Sequence, residues 1–174
     1  EPKNLQGVKL HQLYFGRYLL FFVLGQIQAL VVVLGDIYLL HCQIIDKGLF
    51  WFTASLTSFV FTLLVYSLTL SFGDIGKAGA VGIMVIQIAG SGGTFPIELL
   101  PSVYRNIYIF FPFPYAINAM RETIGGMYGN MYVKSLLQLM IFAVAALVLG
   151  LVIRKPFIKW NHFVEKRMED TKMM

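Results

Sequence analysis

Five polar side chains lie inside otherwise apolar stretches of this chain, where they could move a proton or hold a polar group away from water: Asp36 and the glutamines Gln26, Gln28, Gln87 and Gln138. An acid within an apolar helix is costly and marks a functional site by default. Asp36 stands about four residues from the end of its apolar run, so a solvated acid and a proton or substrate site both stay open. Asp36→Asn separates them, because unchanged activity with unchanged pH dependence removes the residue from any mechanism. Each glutamine needs a hydrogen-bonding partner. His11, His41 and His162 lie far apart without metal-ligand spacing, and Cys42 is the single cysteine, so neither an internal disulfide nor a cysteine metal cluster can form. The sequence holds no glycine-lysine phosphate loop, no GxSxG and no GxGxxG, so any ATP is bound by another chain. We expect no catalytic residue, no metal and no cofactor.

The elements that must position these residues follow from composition. Of 174 residues, 57% are hydrophobic and 13% charged, with a mean hydropathy of +0.71. Such a chain belongs in a membrane. Its net charge of +5 is therefore read as a topology signal and not as a nucleic-acid surface. The chain begins at Glu1 without a Met, and from this we expect a piece of a longer protein.

A helix needs about 20 apolar residues to cross the hydrocarbon core. Residues 18–40, 49–72, 78–95 and 133–153 qualify or nearly so, which predicts an all-α integral membrane fold with four transmembrane helices. A fifth apolar stretch, 107–120, is too short to cross and carries Pro112 and Pro114. Between the third and fourth spans stands GGTFPIELLP, residues 92–101, where Gly92, Gly93, Pro96, Glu98 and Pro101 break the helical pattern. Irregular backbone at membrane depth survives only where protein or water satisfies it. The stretch is thus read as the outer end of a span that turns and lets 107–120 dip back as a re-entrant element, the alternative being a plain outer loop. With both ends of the chain on the inner side, ten basic residues lie inside against Lys47, Arg105, Arg121 and Lys134 outside. That balance favours cytoplasmic ends. The expected organisation is an interfacial segment at 1–17, a transmembrane domain at 18–153 with an outer re-entrant region at 96–132, and an amphipathic cytoplasmic tail at 154–174.

Ser55, Ser58, Thr62, Tyr66 and Thr69 share one face of the second span, which should meet another helix. Ala78, Gly82, Ala89 and Gly93 form a small-residue stripe on the third, along which a helix can approach closely. Leu5, Val8 and Leu13 suit a short interfacial helix before the first span, available either as an anchor or for docking a partner. In the tail, Phe157, Trp160, Val164 and Met168 line one side, with Lys159, Lys166 and Arg167 free to meet anionic headgroups. Membrane lipid is the expected surroundings.

The block AGSGGTFPIELLPSVYRNIYIFFPFPYAINAMRETIGG resembles the C-terminal membrane domain of YhgE/Pip (phage infection protein) proteins and, more distantly, the permeases of type 2 ABC exporters. HQLYFGRYLL and GDIGKAG resemble further segments of the same domain. The resemblance implies a longer parent with an additional N-terminal half and a large extracellular region, and a pair of short re-entrant helices between the last two spans. On the stretch FPFPYAINAMRE it implies gate-lining or structural roles for Pro112, Pro114, Tyr115, Asn118 and Arg121. It also implies a bacterial cell membrane, a homodimer and association with phage adsorption or type VII secretion.

Two functions follow as expectations. One is a permease-like domain exporting an envelope or hydrophobic substrate, with energy from a separate ATPase docked at residues 5–15. The other is a structural anchor or receptor holding an extracellular domain for phage or secretion components.

Overall fold

A computed structural model describes residues 10–90, 102, 106 and 108–153, all in helices and short connections. Glycine positions decide where these apolar helices turn and how closely they meet. Helix α1 (Leu10–Tyr38) takes in HQLYFGRY without a break, because nothing in that stretch interrupts helical backbone. A separate interfacial helix is therefore not formed over residues 10–17: Leu13 is half-buried in α1 itself, while Leu5 and Val8 lie outside the described residues.

Helix α2 (Lys47–Gly90) is broken at Gly73, whose φ of 59° and ψ of −131° suit only glycine. The two limbs, 47–72 and 74–90, lie side by side. Met84 lines the same cavity as Phe61 and Val65, whereas a straight helix would set residues 61 and 84 about 34 Å apart. A Cβ on Gly76 would overlap the Leu68 carbonyl, so the limbs touch backbone to backbone just past the turn. Residues 74–77, which lie between the predicted spans 49–72 and 78–95, are accordingly helical. One glycine reverses the chain, and Asp74 and Lys77 form an exposed ion pair at 2.8 Å within the second limb's first turn. Lys77 beside it holds the Asp74 carboxyl below its ordinary pKa.

After a 3-10 turn (Tyr108–Phe110), α3 (Phe113–Gly125) begins at the two prolines. Pro112 and Pro114 start this short helix, since a proline in the first turn has no N–H that would need a partner. Helix α4 (Met131–Val148) follows and ends in a π-helical turn (Leu149–Ile153).

Among the described residues, three helices are long and apolar enough to cross a membrane, counting the folded α2 once. Tyr14, Tyr18, Val60, Leu63, Tyr115, Leu139, Ala143 and Ala146 form the core joining all four helices. Val33, Ile44, Phe50 and Ala54 form a second cluster at the other end. Outward faces carry exposed Leu, Ile, Val and Phe side chains on α1, α2 and α4, the arrangement of a bundle solvated by lipid. The Ala78/Gly82 stripe also points outward. Ala78 is exposed, and a Cβ on Gly82 would meet nothing within 4 Å. Ala80 and Gln87 face the bundle instead, because the turn at Gly73 sets the rotation of the limb. Of the remaining stripe residues, Gly93 lies outside the described residues.

Candidate functional site

The polar face of α2 is spent on α1. From one end of the contact to the other, Tyr14 Oη and Ser67 Oγ lie 2.6 Å apart, and Tyr66 Oη donates to the Tyr14 carbonyl at 3.0 Å. Tyr18 Oη donates to the Phe59 carbonyl at 3.1 Å and lies 3.3 Å from Thr62 Oγ1. Ser58 Oγ donates to the Gly25 carbonyl at 2.8 Å, which is possible because Gly25 has no side chain in the way. Gln26 Nε2 donates to the Ser55 carbonyl at 3.1 Å, while Ser55 Oγ donates to Gln26 Oε1. Seven such links at about 0.6 kcal/mol each give roughly 4 kcal/mol of helix association. They commit most of these hydroxyls to helix packing.

A different arrangement occurs where α2, α3 and the 3-10 turn meet. The first N–H groups of any helix lack partners, and α3 has no side-chain cap of its own at Pro112. Gln87, 3% exposed on the second limb of α2, supplies one: its Oε1 accepts from the Phe113 N–H at 3.3 Å. Tyr115 Oη donates to the Ile109 carbonyl at 2.9 Å and ties the 3-10 turn to the helix. Phe61 packs edge-on to Phe113 at 5.6 Å, and Tyr115 stacks near Phe142 at 5.8 Å. Around them lies a cavity of about 190 Å³ whose lining includes Leu68, Ala80, Met84, Gln87 and Pro112. A second, open-sided cavity of about 340 Å³ runs between Phe21 of α1 and both limbs of α2. Gln87→Leu leaves the Phe113 N–H unpaired in apolar surroundings, and we expect a loss of about 1–3 kcal/mol, read as a lower thermal midpoint of the detergent-solubilised protein.

The depth of this junction matters. Helix α3 has 13 residues, about 20 Å of length against a hydrocarbon core of about 30 Å. Its first turn touches Phe61, midway along the first limb of α2, and its last turn meets the α1–α2 connection, where the Asp46 N–H donates to the Thr123 carbonyl at 3.3 Å. It is a half-length helix running from the middle of the bundle to one end. Glu122 Oε2 accepts from the Tyr128 N–H at 2.6 Å and closes the connection to α4.

Among the residues singled out from sequence, Gln87, Pro112, Pro114 and Tyr115 come together here. Asn118 is half-buried and Arg121 exposed farther along α3, and both have interaction partners. Gly92, Gly93, Pro96, Glu98 and Pro101 lie outside the described residues. Gln26 belongs to the α1–α2 contact, Gln138 is half-buried on α4 and Gln28 is exposed. Asp36 is half-exposed, two residues before the end of α1. Sequence reasoning passed over Tyr14, Ser67, Ser71, Gly25 and Gly150. Their signal was a small residue at the level of a bulky one on another helix, which becomes visible only when the pairing of helices is known.

A family model described as ABC-2 family transporter protein matches residues 4–152. The chain is 32% identical over 120 residues to "Uncharacterized protein YhgE" of Bacillus subtilis (strain 168), an alignment that covers 68% of the chain and 16% of that relative. The chain thus spans about a sixth of the relative's length. No solved structure matches it. A helical bundle with lipid-facing apolar surfaces and a family match over nearly all of its length places the chain in the ABC-2 transporter family, as a YhgE-like multi-pass membrane domain.

Proposed function

We propose that this domain is the permease part of an exporter for an envelope or hydrophobic substrate, driven by a separate ATPase that docks at the end of the bundle holding the Gly73 turn and the start of α1. The observation that carries this reading is α3: a half-length helix, with its N-terminus propped by Gln87 at mid-depth beside a cavity, is built to line a path and adds little to an anchor. In this reading the two limbs of α2 are separate crossings, so the chain crosses four times with both ends cytoplasmic. Residues 1–17 and 154–174 lie on the inner surface, and 96–132 forms the outer re-entrant region. Pro112, Pro114, Tyr115, Asn118 and Arg121 belong to the outer gate, together with Gly92, Gly93, Pro96, Glu98 and Pro101. Residues 5–15, including Leu5, Val8 and Leu13, receive the ATPase.

Single cysteines in a Cys42→Ser background test the topology. Tyr128→Cys should react with a membrane-impermeant maleimide on intact cells, and Asp74→Cys only after permeabilisation. Reaction of both from the same side contradicts four crossings. Export that persists after loss of every candidate ATPase and collapse of the proton gradient contradicts the mechanism.

The α1–α2 hydrogen bonds favour a second reading, a structural anchor or receptor for phage or secretion components, since those hydroxyls are used in holding the helices together. Under it, exchange of these spans for unrelated dimerising helices preserves adsorption or secretion.

A further inference from the structure

The carboxamide that props α3 is used at one end only. Gln87 Oε1 accepts from the Phe113 N–H at 3.3 Å, which only the oxygen of a carboxamide can do, so the other end of the group is the donor Nε2. That donor has no hydrogen-bond partner among the described residues, although Gln87 is only 3% exposed. A buried N–H left without an acceptor costs about 1–3 kcal/mol. Gln87 stands on the wall of the cavity of about 190 Å³, together with Pro112 at the start of α3, where the free N–H groups of the helix also favour an electron-rich oxygen. The cavity of about 340 Å³ lies next to it, since Phe61, Val65 and Met84 line both. Phe61 is set against the Phe113 ring, whereas Met84 is half-buried and its unbranched side chain can swing aside. The larger cavity opens beside Phe21, which is 48% exposed on the lipid-facing side of the bundle. On its wall Thr62 and Tyr66 already donate to the Ser58 and Tyr14 carbonyls. Among the described residues neither wall carries a charged side chain.

We propose that the two cavities form one binding site for a neutral, apolar molecule bearing a carbonyl group, which enters sideways from the bilayer past Phe21 and Met84 and is held by Gln87 Nε2 donating to its carbonyl oxygen. The size fits, because small-molecule sites occupy about 300–1,000 Å³ and set a few polar groups in an apolar wall. The uncharged wall selects for neutrality, since an ion carried there loses its hydration and meets no counter-charge. The unpaired donor selects for an acceptor: a hydrocarbon of the same shape leaves Nε2 unanswered, and a ketone, ester or amide answers it. Met84 and Gln87 stand three residues apart on one helix and share a face, so the side chain that moves and the group that binds lie along one path. Occupancy also reaches α3, whose first turn hangs on the same carboxamide. The site is a property of the bundle; that its occupant is cargo rests on the export reading.

Benzophenone is the probe, a neutral diaryl ketone that on irradiation takes a hydrogen atom from a neighbouring C–H and bonds to the carbon left behind. The full-length protein in lipid nanodiscs is labelled and its peptides are mapped by mass spectrometry. Labelling should concentrate on Met84, and dicyclohexyl ketone should displace it about fivefold better than dicyclohexylmethane at equal concentration in the bilayer, the worth of one hydrogen bond. Gln87→Leu should erase that difference. Because the variant is also less stable, the competition in the unsubstituted protein decides by itself. Labelling confined to outward side chains such as Leu24 and Val31, equal competition by ketone and hydrocarbon, or an unchanged preference in folded Gln87→Leu each overturn the site, and with an ATPase still bound they leave the export reading standing. Labelling of Met84 with the ketone preferred, in a protein that binds no ATPase, upholds the site and removes export.

Discussion

Gly76→Ala is expected to destabilise the domain strongly, by more than Gly150→Ala or Gln87→Leu. The added methyl would overlap the Leu68 carbonyl and lie 3.0 Å from Phe72 Cβ. Its principal obstacle is backbone, which no rotamer change can move, and that backbone is held by Gly73 in a conformation open only to glycine. The limbs of α2 must therefore part, releasing Met84 and Gln87 from their places beside Phe61 and Phe113. Overpacking costs about 1–3 kcal/mol where neighbours can adjust, and here they cannot. A loss of about 3 kcal/mol or more removes a large share of a total of about 5–15 kcal/mol and should lower both yield and thermal midpoint. Monodisperse yield and thermal midpoint in detergent read the effect. Gly79→Ala is the matched control, since its Cβ meets nothing within 4 Å. Equal stability of the two variants would show that the limbs are not packed together.

Gly150→Ala is the second large effect, at the same end of the bundle. Its Cβ would sit 2.5 Å from Tyr14 Cε2 and 2.9 Å from the ring's Cζ and Oη. A flexible side chain would withdraw, but Tyr14 is 1% exposed, shares a hydrogen bond with Ser67 and has its own carbonyl held by Tyr66. The π-helical turn that brings Gly150 against the ring is itself tied to α2, through Ser71 Oγ donating to the Leu149 carbonyl at 3.2 Å. Single π turns inside α-helices often mark functional places, and this one joins α1, α2 and α4 where the ATPase is proposed to dock. We expect Gly150→Ala to cost about 2–3 kcal/mol. Tyr14→Ala opens the space that the new methyl needs, so the double variant should be clearly less destabilised than the sum of the singles. Strict additivity in thermal unfolding would mean that the ring and the glycine do not touch.

The apolar runs were legible because a helix solvated by lipid has to advertise its length. The serine, threonine and tyrosine face of α2 was legible as a contact, since such residues seldom face lipid, and it does meet α1. The ABC-2 relationship was legible in the long block ending at Gly126, and the family match bears it out. The spans 49–72 and 78–95 leave residues 73–77 between them, whereas the structure makes the reversal at Gly73 alone. A lone glycine in an apolar run does not declare whether it bends or reverses the chain, and Asp74 and Lys77 resemble loop residues until the helix around them is seen. The rotation of the second limb was missed for the same reason, so Ala78 and Gly82 were assigned to a contact from which they point away. The prolines were legible as points where no long helix could run through 107–120, and in the structure they mark the start of the short α3.

The central claim is that this membrane domain works as a permease with a docked ATPase at the end marked by Gly73, Tyr14 and Gly150. Native mass spectrometry of the full-length protein, purified gently through a C-terminal tag from its own membrane, tests it most directly. The account predicts a nucleotide-binding subunit in fixed stoichiometry with the membrane chain, retained by Gly79→Ala and lost when Leu5, Val8 and Leu13 are together replaced by aspartate. A homodimer alone, or a complex with secretion components and no ATPase, would contradict it.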